Sequence, residues 1–274
     1  MPMIIALWGE EKTSKTTFSL SFPKPLYHFD IDVGGYDRAA WRMSTEGITT
    51  KRYFAPMQIE QLNRSMMGND VSKANDKITI KFPKKVVGMR ELWQSIISDY
   101  VGLLGDSKYV TIVFDSFTEM WSICHRAHLQ ELQEKQLSVN PNLPDNELRE
   151  SLMSKEYGPA NDRMKAVISN ARSTGKNLVL THYPRDVYGV RVDSKGRSED
   201  FRTGAEAIDG FKQITKLIDI AVRTKTPLVN GKKSVEAVIT TCGLPGLGFK
   251  VEGMKLPTPD YAGIESLISV MSVG

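Results

Sequence analysis

Cysteine is scarce: the 274 residues include only Cys124 and Cys242. Two thiols cannot staple a disulfide framework, so the fold must rest on an apolar core, and a reducing compartment is the default expectation. Long apolar runs are missing too, and none approaches the roughly 20 residues of a membrane span. The opening MPMIIALWG has no basic segment ahead of its apolar run, which argues against a secretory signal. A soluble, cytoplasmic protein with no membrane partner is expected. An excess of one charge is also absent. Lys and Arg number 36 against 32 acids, a net charge of +4, so any nucleic-acid surface has to be local rather than global. No internal repeat and no low-complexity linker interrupts the chain, which favours one domain over residues 1–274. Gly-x-Ser-x-Gly and HExxH motifs are lacking, which removes support for those hydrolase classes. Cys124, His125 and His128 offer three metal ligands on one helix with no obvious fourth, so a structural placement is expected for them. The 12 methionines read as core filling.

What is present is an alternation of apolar runs and helical spacings. Residues 3–8 (MIIALW, ending at Gly9), 26–32 (LYHFDID), 109–116 (YVTIVFDS) and 177–183 (NLVLTHY) are nearly continuous apolar runs, the second and third with acids at their ends. Strands buried on both faces of a parallel sheet look like this. Between them, KTTFSLSF, MRELWQSIISDYVGLL, FTEMWSICHRAHLQELQEKQL and the stretch from Leu148 to Gly175 carry helical periodicity. The run PRDVYGVRVDSKGRSEDFRTG has the composition of a mobile loop, and AEAIDGFKQITKLID reads as helix. IAVRTKTPLV and SVEAVITTC read as a hairpin about Asn230-Gly231, and a last helix starts near Tyr261. The fold class expected is α/β: a mostly parallel central sheet flanked by helices, with a C-terminal β-hairpin.

The stretch LWGEEKTSKTTF nearly fits a phosphate-binding loop and misses at one position. The pattern requires Gly, four residues, Gly, Lys, then Ser or Thr. Here Gly9 is followed by Glu10, Glu11, Lys12 and Thr13, then by Ser14 in place of the second glycine, then by Lys15, Thr16 and Thr17. Such a loop works because backbone N–H groups at a helix start converge on phosphate. Lys15 is then expected to reach the β- and γ-phosphates, and Thr16 to ligate Mg²⁺. A side chain at a position built for glycine costs about 1 kcal/mol, which weakens the geometry without abolishing it. Two strand ends support the reading. Asp115 closes TIVFD, where a carboxylate can hold Mg²⁺. Asp32 follows another strand, where it can polarise an attacking water. ATP or ADP with Mg²⁺ is the expected cofactor, at the carboxyl ends of adjacent strands.

The order of these parts resembles the RecA-like P-loop ATPases, most closely the phage-encoded RecA-core proteins of single-strand annealing and recombination. The resemblance spans about residues 3–227, with a hairpin and helix at 228–274. It implies a catalytic acid at Asp32 and a γ-phosphate sensor at His182. It also implies Arg223 and Lys225 reaching a neighbouring subunit's ATP, and hence a ring or filament of identical chains. DNA-binding loops are implied near Leu137–Tyr157 and Pro184–Thr203, the second carrying Arg185, Tyr188, Arg191, Lys195, Arg197 and Arg202. A single-strand-binding protein is a further partner the resemblance admits. A phage origin places the protein in the cytoplasm of an infected bacterium. Ser14 and Asp32 depart from the family pattern and leave turnover more open than binding.

The residues by themselves keep alternatives in play. Pro184–Thr203 nearly balances its charges, so it reads equally as a solvated loop or as a grip on phosphates and bases. Lys73–Arg90 is more basic and reads as a second nucleic-acid surface or, preferably, as a charged edge strand. A nucleotide-gated loader with little hydrolysis and a small-molecule phosphotransferase remain rivals. The latter calls for clustered arginines, yet residues 120–160 hold only Arg126 and Arg149.

Overall fold

A computed structural model describes the chain except residues 1, 33, 57–70, 75–76, 81–83, 193–195, 230 and 273–274. In chain order the strands are β1 (Ile4–Trp8), β2 (Leu26–Asp30), β3 (Ile48–Arg52), β4 (Val71–Ala74), β5 (Lys77–Ile80), β6 (Thr111–Asp115), β7 (Asn177–His182), β8 (Pro184–Val192), β9 (Ser198–Ile208), β10 (Ile220–Lys225), β11 (Leu228–Val229), β12 (Lys232–Lys233) and β13 (Glu236–Cys242). The helices are α1 (Lys15–Ser19), α2 (Gly35–Ala40), α3 (Met89–Gly105), α4 (Phe117–Val139), α5 (Tyr157–Ser173) and α6 (Tyr261–Ser272). Chain contacts divide the molecule into two compact units.

The first unit comprises residues 1–52, 102–120 and 165–274. Its centre is a seven-stranded sheet in the order β13-β10-β1-β7-β6-β2-β3. The pairs from β10 to β3 are parallel, and β13 runs antiparallel to β10. β1, β6 and most of β7 are buried on both faces, which is why each reads as an unbroken apolar run. One face of the sheet packs Ile5, Leu7, Val113, Val179 and Val222 against Phe18 of α1, Ala39 of α2 and Ile264 of α6. Alternate residues supply an aromatic layer, with Phe114 stacked on Phe29 (ring centroids 4.5 Å apart) and in contact with Phe117. The unit is thus a mostly parallel sheet flanked by helices and closed by an antiparallel C-terminal strand.

Three local expectations change. Pro184–Thr203 is no loop: β8 and β9 form an antiparallel hairpin pairing Tyr188 with Arg202 and Val190 with Asp200. The stretch 205–219 is not an α-helix either. It continues β9 to Ile208 and then makes a single 3-10 turn at Ile214–Lys216. The cross-strand partner Pro184, bonded opposite Ile208, overrides the local helical spacing. β3, an additional parallel strand beside β2, lies where the chain shows little periodicity. Its burial alternates only partly, as expected at a sheet edge.

The second unit comprises residues 53–101 and 121–164. Gln130 and Gln133, both buried, tie it together: Gln130 Oε1 accepts from the amides of Met89 and Arg90, and Gln133 Nε2 donates to the carbonyls of Lys84 and Arg149. Leu137–Tyr157 is the end of α4 followed by turns, pinned by Arg149 on Glu156 at 2.8 Å. Most of Lys73–Arg90 lies outside the residues whose side chains are described. Cys124 Sγ faces the Ala160 carbonyl, His125 Nδ1 that of Trp121, and His128 pairs with Glu131. Burial pushes the Cys124 thiol up to about 12, and among the described residues no cluster of three metal-ligating side chains occurs. Among them, too, no helix is long and apolar enough to cross a membrane.

Candidate nucleotide site

The loop from Gly9 to Ser14 joins β1 to α1, and its backbone explains the missing glycine. Ser14 takes φ 70° and Lys12 φ 59°, both left-handed. Ser14 therefore adopts the conformation that the usual glycine supplies, at the strain cost of a Cβ there. Ser14→Gly is expected to raise stability by about 0.5–1 kcal/mol, read as a higher urea midpoint with an unchanged slope. Gly9 is a stricter requirement. A Cβ on it would lie 2.3 Å from the Thr224 carbonyl oxygen. Thr13 holds the loop to the same place, its hydroxyl 2.7 Å from that of Thr224 and donating to Glu10 O at 2.8 Å.

Lys15 points back into the loop. Its Nζ donates to the carbonyls of Gly9 and Glu10, both at 2.7 Å, and lies 4.6 Å from the centre of the Tyr183 ring. Burial lowers its pKa, opposed by the charges of Asp115, Asp32, Glu10 and Glu11. Thr16 Oγ1 donates to Asp115 Oδ2 at 2.5 Å, and the Thr181 hydroxyl donates to the other carboxylate oxygen. His28 Nε2 stands 3.6 Å from Asp115, too far for a hydrogen bond. Burial acts against the Asp115 charge, but His28 and the two hydroxyls hold its pKa below the ordinary range.

Asp32 sits just past β2, its amide donating to the Asp115 carbonyl at 3.0 Å. Its side chain accepts the Tyr183 phenol proton. Burial, then the bond to Asp32, pushes the Tyr183 pKa well above its ordinary value, so the phenol stays a donor. Asp30, by contrast, is buried, raised in pKa mainly by that burial, and paired with Arg52. Gly34 and Gly35 then bring the chain close: a Cβ on Gly35 would lie 3.0 Å from Thr16 Oγ1 and 3.4 Å from Asp115 Oδ2.

Lys15, Thr16, Asp115 and Asp32 thus converge, as expected from the sequence. His182 does not join them. It is fully buried, its ring edge-on to Phe117 and its Nδ1 2.9 Å from the Asp209 carbonyl. A carbonyl only accepts, so Nδ1 carries the proton, and among the described residues the buried acceptor Nε2 has no partner. Burial drops its pKa to about 4. The next residue, Tyr183, faces the site instead. Sequence reasoning missed it, although strand parity was a signal: Thr181 and Tyr183 share a face, and His182 points the other way.

The hard oxygen donors of Thr16 and Asp115, with a buried ammonium one residue earlier, suit a divalent cation beside phosphates. The close passage of Gly35 leaves that corner free of a further side chain. The residues present fit Mg²⁺ and a nucleotide.

Comparison with known proteins agrees. The family model AAA_24, an AAA domain, matches residues 1–188. The chain belongs to the AAA_24 family. It therefore carries an ATPase-type P-loop domain for binding nucleotide. No match is found among curated proteins. A solved KaiC-like protein from the hyperthermophilic archaeon Pyrococcus horikoshii OT3 is 10% identical with a TM-score of 0.44, covering 94% of this chain and 87% of that one. That likeness is too distant to argue from.

The remaining candidates of this AAA_24 chain are placed as follows. Lys12 has an exposed stretch of loop around it, Glu10 and Glu11 are exposed, and Thr17 is half-buried on α1. Glu10 and Glu11 line a cleft of about 420 Å³ with Tyr183, Arg185, Arg202 and Glu206. Arg223 is engaged within its own chain, paired with Glu206 and 4.7 Å from the Trp8 ring centre. Lys225 is exposed at the end of β10. On the hairpin, Tyr188 is 64% exposed, Arg191 pairs with Glu199 and Arg202 with Asp186. Arg185 Nε donates to the Ile208 carbonyl, Arg197 is exposed, and Lys195 lies outside the described residues.

Proposed function

We propose that this protein is a Mg-ATP-dependent ATPase of slow turnover that binds single-stranded DNA, for annealing or strand exchange, as a homo-oligomer. The observation that carries the reading is the meeting of Lys15, Thr16, Asp115 and Asp32 at the carboxyl ends of β1, β6 and β2. Lys15 and the loop amides hold the phosphates. Thr16 and Asp115 hold Mg²⁺, which when bound supplies positive charge for the phosphate oxygens. Asp32 accepts a proton from water. Tyr183 supports a link to DNA, because one residue beyond it the chain enters the β8–β9 hairpin, with Tyr188 and Arg202 on one face. A lysine at the end of β10, Lys225, is the better candidate to act across a subunit boundary, since Arg223 already has partners in its own chain.

A second reading is favoured by one contact. The Tyr183 phenol occupies an oxygen of Asp32, which suits a nucleotide-gated loader that binds ATP and hydrolyses little. The deciding experiment is the steady-state ATPase rate with and without single-stranded DNA, beside calorimetry with Mg-ATP. Stimulation of several-fold supports the first reading, and tight binding without turnover selects the second. Absence of Mg-ATP binding overturns both.

A further inference from the structure

α2 presents a surface that the nucleotide site does not use. Its inner side is spent on the core, where Ala39 is buried and Tyr36 and Met43 pack beside it. On the outer side Trp41, the residue that caps the helix, is 91% exposed. Trp8 and Trp93 are buried at 5% and 7% exposure, the usual fate of so large an apolar ring. Trp41 buries almost nothing and so contributes almost nothing to stability. Arg38 lies one helical turn before it and Arg42 directly after it, both exposed. Among the described residues neither makes an ion pair. The adjacent carboxylate, Asp37, is already taken by Arg52.

An open indole flanked by two exposed guanidinium groups matches one ligand chemistry well: a base that stacks and phosphates that pair. We propose that Trp41, Arg38 and Arg42 form a stacking platform for single-stranded nucleic acid, on α2 rather than on the β8–β9 hairpin. This rests on the single-strand-binding reading above and adds a contact surface to it. The platform is wired to the nucleotide. The Arg38 guanidinium lies against Gly34, 3.1 Å from where a Cβ would stand, and the next residue, Gly35, abuts Thr16 and Asp115. This short helix and its cap thus reach from the platform to the residues that would hold Mg²⁺, and each ligand is expected to change affinity for the other.

The test uses the full chain and a short labelled oligothymidylate, with Mg-ATP present. Trp41→Ala is expected to weaken binding about tenfold, the scale of one lost stacked base, while Trp41→Tyr keeps most of it. Arg38→Gln with Arg42→Gln lowers the salt slope by about 1.4, at roughly 0.7 per phosphate contact on a single strand. Oligonucleotide quenching of tryptophan fluorescence disappears in Trp41→Ala. Because the ring is exposed, melting by circular dichroism should not change and serves as the folding control. If the parent protein binds the oligonucleotide and Trp41→Ala binds and quenches equally, this proposal alone is overturned. If Trp41→Ala changes self-association by light scattering at unaltered affinity per chain, the surface joins copies of the protein and the proposal is again overturned. If the parent protein binds no oligonucleotide in any nucleotide state, the single-strand reading falls and takes the platform with it.

Discussion

Replacing Lys15 by alanine is expected to weaken Mg-ATP binding by about 100-fold, measured by isothermal calorimetry. The ammonium is buried and shares its protons with two backbone carbonyls of its own loop, Gly9 and Glu10. Hydrogen bonds to a charged partner are worth about 1.5–3 kcal/mol each, so loss of one strong lysine–phosphate contact corresponds to roughly 10- to 150-fold. The substitution spares the loop's other supports, because Gly9 and Thr13 are anchored to Thr224 independently of Lys15. A folded Lys15→Ala protein that binds Mg-ATP as tightly as the parent would remove the nucleotide from this site.

The largest effect on turnover is expected at Asp32. Asp32→Asn retains shape and a hydrogen-bonding side chain but cannot accept a proton, and general-base contributions run at about 10²- to 10⁴-fold. The expected result is a kcat lower by that order with Mg-ATP affinity changed less than threefold. Tyr183→Phe frees the occupied oxygen of the same carboxylate and is expected to raise kcat several-fold in the parent and hardly at all in Asp32→Asn. Two residues serving one step are strongly non-additive. A kcat within threefold of the parent for Asp32→Asn would transfer the role of base to another group, or leave the protein as a binding module.

The sheet was readable because its central strands are largely buried on both faces and so appear as nearly unbroken apolar runs. β1, β2, β6 and β7 all follow that rule. The phosphate loop was readable in spite of Ser14, since what the fold needs there is a left-handed φ and a small side chain, which serine provides. The β8–β9 hairpin was hidden for a physical reason. Apart from Ile208 at the end of β9 its strands stay out of the core, so its alternation of Tyr188, Val190 and Val192 with Gly189 and Arg191 resembled loop composition. Residues 205–219 carried a helical spacing that pairing with β8 overrode as far as Ile208. His182 and Tyr183 were confused by chain adjacency, although only one of two neighbours in a strand can face a given ligand.

The anchoring of the phosphate loop reaches further along the chain than the family match does. Gly9 and Thr13 rest on Thr224, and Thr224 belongs to a strand that begins 32 residues after the matched span ends at residue 188. A gene fragment trimmed to that span would keep every residue of the motif and lose the wall the motif leans on. Useful boundaries for expression are therefore set by the sheet, beyond Cys242, and not by the reach of the recognisable sequence.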